Sequence, residues 1–215
     1  MPTSRGNLPV SPDPFHLPAG ASELLESWLE AVLETAGLTS IRDPAEARRM
    51  LLEDSLRGVD VVRGFDGPIV DVGSGGGAPG VPLASALPDR RVTLLEAERR
   101  KVDFLRRWTE QLPNLEVVWG RAEEQETDRY GVAVSKALAQ PPVAAEWLLP
   151  LVRPGGAAVL WIGPTADLEA VARVAGQVGG GVPEERDGLV VIPKLDPTPD
   201  GFPRRPGMAR KRPLA

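Results

Sequence analysis

The residue types that could do chemistry are concentrated between positions 69 and 96. A short, mostly β-branched run at 69–72 contains an acid, Asp71, and five glycines follow between Gly73 and Gly80. Glycine lets the backbone adopt positive φ angles, and it lets a ligand approach without meeting a Cβ atom. A second acid, Glu96, follows after about 20 residues, the spacing of a ribose-binding acid. The combination is typical of a nucleotide-binding turn between a strand and a helix.

Two ligands of the nucleotide type fit the spacing of these glycines. Segment 75–80 reads G-x-G-x-x-G, the dinucleotide fingerprint, whereas segment 71–77 reads D-x-G-x-G-x-G, the pattern of S-adenosylmethionine (SAM) methyltransferases. A pyrophosphate needs free N–H groups at the helix N-terminus, but Pro79 lacks one and Asp71 adds negative charge. The sulfonium and α-ammonium groups of SAM are cationic, so a carboxylate at the strand end attracts them. We therefore predict SAM as the cofactor. The alternative without a ligand is that Asp71 caps the loop and the glycines form a tight turn.

The composition excludes several other chemistries. The chain has 215 residues, no cysteine and one histidine, His16. Thiol catalysis, a disulfide framework and a cysteine zinc site are therefore excluded, and a histidine-based metal site or triad is not expected. No apolar run reaches 18 residues and no signal peptide is recognised, so a cytoplasmic protein without a membrane span or a metal is expected.

Two clusters of basic residues stand out although the net charge is −5. The first comprises five cations near the C-terminus: Arg204, Arg205, Arg210, Lys211 and Arg212. The second is formed by Arg99, Arg100, Lys101, Arg106 and Arg107. Such clusters can neutralise phosphates even in an acidic protein. The alternative is a solvated helix face and a disordered tail. We predict that the C-terminal cluster binds RNA.

The order of predicted elements indicates an α/β fold. Strands are predicted at 69–71, 91–95, 115–119, 131–135, 156–162 and 189–194, and helices alternate with the first five. This pattern predicts a mostly parallel, doubly wound, Rossmann-like sheet, with ligand-binding residues after the strand ends. We expect a disordered leader at 1–20, a helical extension at 21–66, a SAM-binding domain at 67–195 and a basic tail at 196–215.

Several blocks of sequence form a pattern beyond the glycine loop. They are residues 38–43, 54–56, 71–82, 100–101, 104–105, 120–124, 135–137, 149–151, 154–156, 202–207 and 211–214. In these blocks the chain resembles the bacterial small-subunit rRNA guanine-N7 methyltransferases, once called glucose-inhibited division protein B. The glycine loop fits any SAM enzyme, whereas the C-terminal blocks and Asp-Ser-Leu at 54–56 are specific to this family. The resemblance implies the class I SAM methyltransferase fold and an activity on 16S rRNA of the small ribosomal subunit.

The resemblance also implies roles for individual residues. Gly73 and Ala78 would line the methionine part of SAM, Glu96 would bind the ribose hydroxyls, and residues 122–123 would border the adenine. Lys136, where the family usually has arginine, would contact cofactor or substrate and position it. The complete set expected at the cofactor is Asp71, Gly73, Gly75, Gly77, Ala78, Glu96, Ala122, Glu123 and Lys136.

The implied chemistry needs no base. Guanine N7 carries an unprotonated lone pair on the major-groove edge of the base. The enzyme must therefore align the lone pair with the methyl group and the sulfur, and it must reach an unstacked or flipped base. A monomer acting on RNA is expected.

The chain departs from the family at Gly37, Leu51 and Ile162, where polar residues are usual, and at Lys136. Arginine is a rigid bidentate fork and lysine a point charge, so the last change alters how a ligand is held. Two alternatives follow: a SAM methyltransferase with another substrate, or a catalytically impaired SAM-binding factor of ribosome assembly.

Overall fold

The computed structural model describes residues 15–163 and 166–215. Most of the leader predicted at 1–20 lies outside the described residues. No helix in the described part of the chain is both long and apolar enough to cross a membrane.

One sheet of seven strands forms the centre of the protein, in the order β3-β2-β1-β4-β5-β7-β6. The first five strands are parallel, and β7 and β6 are antiparallel to their neighbours. Their bounds are Ile69–Val72 (β1), Val92–Glu96 (β2), Leu115–Trp119 (β3), Tyr130–Lys136 (β4), Val152–Trp161 (β5), Glu184–Arg186 (β6) and Leu189–Pro193 (β7). The predicted α/β, Rossmann-like fold is confirmed. The chain order reverses between β1 and β4, which is where ligands bind in such sheets.

Helices cover both faces of the sheet. Their bounds are Ala21–Glu34 (α1), Pro44–Ala47 (α2), Asp54–Leu56 (α3), Val59–Arg63 (α4), Gly80–Ala86 (α5), Arg99–Leu105 (α6), Pro141–Leu148 (α7), Leu168–Gln177 (α8) and Met208–Lys211 (α9). One apolar layer contains residues of α1, α5 and α6, and the other contains residues of α7 and α8. Both layers are built from the alternating side chains of the central strands, as expected for strands that are buried on both faces.

Two elements were not expected from the sequence pattern. Within the helical region predicted at 21–66, a π-helix at Arg48–Glu53 separates α2 from α3 and α4. Strand β6 was not predicted, because Glu184–Arg186 is short, polar and exposed and therefore shows no alternation of apolar residues.

The C-terminal segment folds back onto the domain and is anchored by a buried lysine. The Lys194 ammonium donates to the carbonyl oxygens of Leu149 and Val178 and to the hydroxyl of Thr198, each at 2.8–2.9 Å. The Thr198 hydroxyl donates in turn to Asp128. These bonds direct residues 199–215 toward α7, on the side of the sheet where the candidate site lies.

Candidate functional site

A cavity of about 570 Å³ lies at the carboxyl ends of β1, β2, β3 and β4. Its volume is in the range of small-molecule sites. Eight of the sequence-predicted residues line it: Gly73, Gly75, Ala78, Glu96, Ala122, Glu123, Lys136 and Arg210. Six others lie outside its lining: Asp71, Gly77, Arg204, Arg205, Lys211 and Arg212.

The glycine loop after β1 forms the floor of the cavity. Gly73, Gly75 and Gly77 have φ angles of 69°, 57° and 105°. Side-chain-bearing residues rarely adopt this region, so the turn depends on glycine. The indole N–H of Trp28 in α1 donates to the carbonyl oxygen of Gly76 at 2.9 Å. The N-terminal helix therefore fixes the loop from behind.

Glu96 at the end of β2 lines the cavity beside the glycine loop. Its Oε2 accepts from the backbone N–H of Gly75 at 2.9 Å, and its Oε1 accepts from that of Glu98 at 2.7 Å. The side chain is 7 % exposed. A carboxylate offers about four lone-pair positions, so two acceptor positions remain for a ligand. Glu96 can therefore both shape the loop and bind hydroxyl groups.

Asp71 lies in a different place from the one predicted for it. It is 1 % exposed, and its Oδ2 accepts from the backbone N–H of Gly80 at 3.1 Å. Burial raises the pKa of the Asp71 carboxyl to about 7, and the nearby charge of Glu96 adds to the rise. Its Oδ1 has no hydrogen-bond partner among the described residues. Asp71 therefore braces the start of α5, whereas the prediction had it facing the ligand.

The start of α5 is closed to a phosphate group. The N–H of Gly80 is bound by Asp71, and the N–H of Val81 donates to the carbonyl oxygen of Gly77 at 2.7 Å. Pro82 has no N–H. A pyrophosphate needs these donors free, so the geometry disfavours the dinucleotide interpretation of the same glycines.

Lys136 at the end of β4 lies beside the cavity in an ion pair. Its ammonium contacts the carboxylate of Asp54, which also binds Arg57 at 2.8 Å. The indole N–H of Trp161 donates to the backbone oxygen of Asp54 at 2.8 Å and holds this residue in place. Burial lowers the pKa of Lys136 to about 8, and the negative charge of Asp54 favours the protonated form. The lysine is therefore a fixed cation at neutral pH.

The C-terminal segment supplies a wall of the cavity, which sequence reasoning missed. The backbone N–H of Gly207 donates to Oε1 of Glu123 at 3.0 Å. The guanidinium of Arg210 lies 5.1 Å from the ring centroid of Trp147. Both Gly207 and Arg210 line the cavity. These contacts join segments that are far apart in the chain, so no local pattern could have indicated them.

Apart from Arg210, which contacts Trp147 and lines the cavity, the predicted RNA-binding residues of this segment divide into two groups. Arg204 forms two hydrogen bonds of 2.6 Å with Glu146, which is 3 % exposed. Its charge is therefore neutralised inside the protein. Arg205, Lys211 and Arg212 are exposed and have no ion pair with any described residue. These three cations remain available to a phosphate backbone.

The N-terminal helical region covers another side of the cavity. Its contributing residues are Trp28, Val32, Leu38, Thr39, Ser40 and Leu51. Three of these belong to the block 38–43 that carries the family resemblance, but the resemblance assigned them no role. Within residues 15–163 and 166–215, no group of three or more acidic or histidine side chains could hold a metal ion.

The sequence of this chain is similar to that of a known family. A family model described as rRNA small subunit methyltransferase G matches residues 22–176. The ribosomal RNA small subunit methyltransferase G of Synechococcus elongatus is 39% identical over 214 residues, covering 89% of this chain and 88% of the relative. The protein of the same name from Pelotomaculum thermopropionicum is 37% identical over 212 residues, covering 88% of this chain and 89% of the relative.

Solved structures share the fold at low sequence identity. A TehB-like SAM-dependent methyltransferase from Corynebacterium glutamicum superposes with a TM-score of 0.50 and 20% identity, covering 82% of this chain and 99% of that one. An O-methyltransferase of neocarzinostatin biosynthesis, solved with S-adenosylmethionine, gives a TM-score of 0.51 and 18% identity, covering 66% of this chain and 55% of that one. At this identity the likeness shows the fold alone.

Proposed function

Because this chain belongs to the rRNA small subunit methyltransferase G family, we propose that it is a SAM-dependent methyltransferase that modifies N7 of a guanine in 16S rRNA. One observation supports this most directly. The glycine loop and Glu96 line one cavity. The N–H groups of Gly80 and Val81 at the start of α5 are already hydrogen-bonded within the protein and cannot bind a phosphate. A cationic adenosyl ligand fits such a site better than an anionic dinucleotide does.

The residues of the cavity fit SAM by their chemistry. Positive φ angles at Gly73 and Gly75 form a cradle without side chains. The carboxylate of Glu96 retains acceptor positions for the two ribose hydroxyls. Ala122 and Glu123, on the turn after β3, line the same cavity and would border the adenine. Together these residues would hold the cofactor, which supplies an electrophilic methyl group on a positively charged sulfur.

The protein's own contribution to the reaction is positioning. Guanine N7 has a free lone pair, so no side chain needs to remove a proton before it attacks the methyl group. The reacting atoms must be held in line and close together, and this alignment accounts for much of the rate in such a reaction. Lys136, fixed by Asp54 at the edge of the cavity, is the cation best placed to orient substrate or cofactor. The exposed Arg205, Lys211 and Arg212 would bind phosphates and set the register of the RNA.

We further propose that the protein acts as a monomer in the cytoplasm and needs no metal. The glycine loop, Glu96, Lys136 and the C-terminal segment enclose the cavity within one chain, so the proposed site does not depend on a second copy. Ribosomal RNA is assembled in the cytoplasm of bacteria, where such an enzyme would meet its substrate.

Methyl transfer can be tested with methyl-labelled SAM and small ribosomal subunits from cells that lack this protein. We expect the label in 16S rRNA, as 7-methylguanosine in nucleoside digests analysed by mass spectrometry. The Glu96→Ala variant serves as a control with an impaired cofactor site. Calorimetric binding of SAM without transfer to subunits or naked rRNA would support the assembly-factor alternative. Label in a protein or small molecule would indicate another substrate.

A further inference from the structure

Trp119 is an exposed aromatic side chain at the edge of the sheet. It ends β3, the outermost parallel strand, and is 55% exposed, whereas Trp28, Trp108, Trp147 and Trp161 are at most 8% exposed. These five residues are all the tryptophans of the chain. Single exposed apolar side chains are common on protein surfaces, but this ring directly precedes Gly120 and Arg121, which line the candidate cavity.

The indole of Trp119 is held in a fixed orientation. Its N–H donates to the backbone oxygen of Ala97 at 3.0 Å. The guanidinium of Arg99 lies 4.8 Å from its ring centroid, a cation–π distance. The ring therefore presents a preformed aromatic surface that needs little ordering when a partner binds.

Arg99, which contacts this indole, belongs to a basic helix. The second basic cluster of the sequence lies on and just after α6 and comprises Arg99, Arg100, Lys101, Arg106 and Arg107. Two acids pair with four of these cations, Glu98 with residues 100 and 101 and Asp103 with residues 99 and 106, at 2.9–3.8 Å. Residues 98–107 carry five cations and two acids, so this helical segment has an excess of positive charge, which attracts a polyanion.

The same surface borders the candidate site. Ala97 and Lys101 line the cavity, as do Gly120 and Arg121, which follow Trp119 in the chain. A strand of RNA that reaches the cavity on this side would therefore pass over the indole. Aromatic rings interleaved with arginines are the usual stacking surfaces for unpaired bases.

We propose that Trp119 and the first basic residues of α6, Arg99, Arg100 and Lys101, form a platform for single-stranded RNA, on which one unpaired base stacks while these cations bind adjacent phosphates. This proposal rests on the proposed function, since it assigns a second contact surface to the same RNA substrate. The RNA would then have two contact surfaces. One is formed by the C-terminal cations, and the other is this platform, next to the cavity residues Ala97, Lys101, Gly120 and Arg121.

The proposal can be tested by tryptophan fluorescence and by RNA binding. Acrylamide should quench the emission of Trp119 strongly, because the other four rings are buried. An unstructured RNA 12-mer and protein-free 16S rRNA should both reduce this quenching. In anisotropy titrations, Trp119→Ala should weaken affinity for the 12-mer about tenfold, the usual effect of losing one stacked base. Trp119→Phe should retain most of the affinity.

Leu195→Ala is the control, because Leu195 is 61% exposed and lies just after β7, far along the sheet from β3. It should change neither quenching nor RNA affinity, and SAM affinity should be unchanged in all three variants. Unaltered RNA affinity in Trp119→Ala would overturn the platform. Protection of Trp119 by SAM alone, or by intact subunits but not by RNA, would also overturn it. Methyl transfer by the wild-type protein is measured separately, so the platform can fail while the proposed function stands.

Discussion

The buried carboxylate of Asp71 accepts a hydrogen bond from the backbone N–H of Gly80, with 3.1 Å between Oδ2 and N. The contact is close enough that a Cβ atom at position 80 would lie 2.7 Å from that oxygen. The acid of the glycine motif therefore closes the turn between β1 and α5. Asp71 is not part of the cavity lining.

Asp71 should make the stability of the fold depend on pH. Its folded pKa is about 7, against 3.8 for the ordinary group, because burial penalises the charged form. The associated stability is fully present below about pH 4 and is lost as the pH rises through about 7, at up to about 1.4 kcal/mol per unit. Asp71→Asn should remove this contribution, so its unfolding free energy from urea titrations should vary less between pH 5 and pH 8. Asp60→Asn, whose side chain is 85% exposed, is the control and should follow the wild type.

Glu96→Ala should weaken SAM binding roughly 10- to 100-fold, because hydrogen bonds to a charged group contribute about 1.5–3 kcal/mol. The change also leaves the N–H groups of Gly75 and Glu98 without their acceptor, so the loop loses its shape. Isothermal calorimetry measures the affinity. Glu116→Ala removes an acid from the neighbouring strand outside the cavity and should bind SAM normally. Equal affinity in both variants would contradict the assignment of the site.

Arg204→Ala should destabilise the protein by about 3 kcal/mol, because it leaves the buried carboxylate of Glu146 unpaired. Adding Glu146→Gln should recover much of the loss, since the uncompensated charge then disappears. Chemical unfolding at pH 7 measures both. The adjacent Arg205→Ala should have little effect on stability because its side chain is exposed. A loss of RNA affinity without a loss of stability in Arg204→Ala would return this arginine to the RNA-binding group.

The triple variant with alanine at Arg205, Lys211 and Arg212 should bind RNA more weakly and with less dependence on salt. Removing three phosphate contacts should reduce the slope of log K against log salt by about 2 for a single strand. SAM affinity should stay unchanged, since none of the three lines the cavity. An unchanged slope would mean that these cations do not touch phosphate.

Lys136→Met should lower kcat/KM for methyl transfer at least tenfold, because the fixed cation at the cavity is lost. The variant should still fold, since Asp54 keeps its ion pair with Arg57 at 2.8 Å. Lys136→Arg should restore most of the activity. Arg57→Ala removes the other partner of Asp54 without touching the cavity and should leave kcat/KM near the wild-type value. Equal rates in Lys136→Met and the wild type would exclude a positioning role.

The fold and the floor of the site could be predicted because their signals are local. Buried β-branched runs, clustered glycines and an acid at the next strand end placed Glu96 beside the loop. The position of Asp71 could also have been inferred, since alternate residues of a strand face opposite sides. Ile69 packs in the layer that contains α5, and Asp71 shares its side.

The remaining walls of the site could not be predicted, because they depend on contacts between distant segments. The bond between Gly207 and Glu123 spans 84 positions, and the pair of Arg204 with Glu146 spans 58. A run of arginines looks the same in sequence whether one of them meets a buried acid or all of them face solvent. Only the packing of the segment on α7 distinguishes the two.

The bond between Trp28 and the glycine loop limits how this protein can diverge. A methyl group at Gly77 would lie 3.0 Å from the indole nitrogen and 2.7 Å from Val81. The φ angle of 105° strains any side chain at this position, and the contact with Val81 would remain even with a smaller residue at 28. Position 77 should therefore stay glycine among descendants of the chain, and position 28 should keep a donor for the carbonyl oxygen of Gly76, 48 residues away.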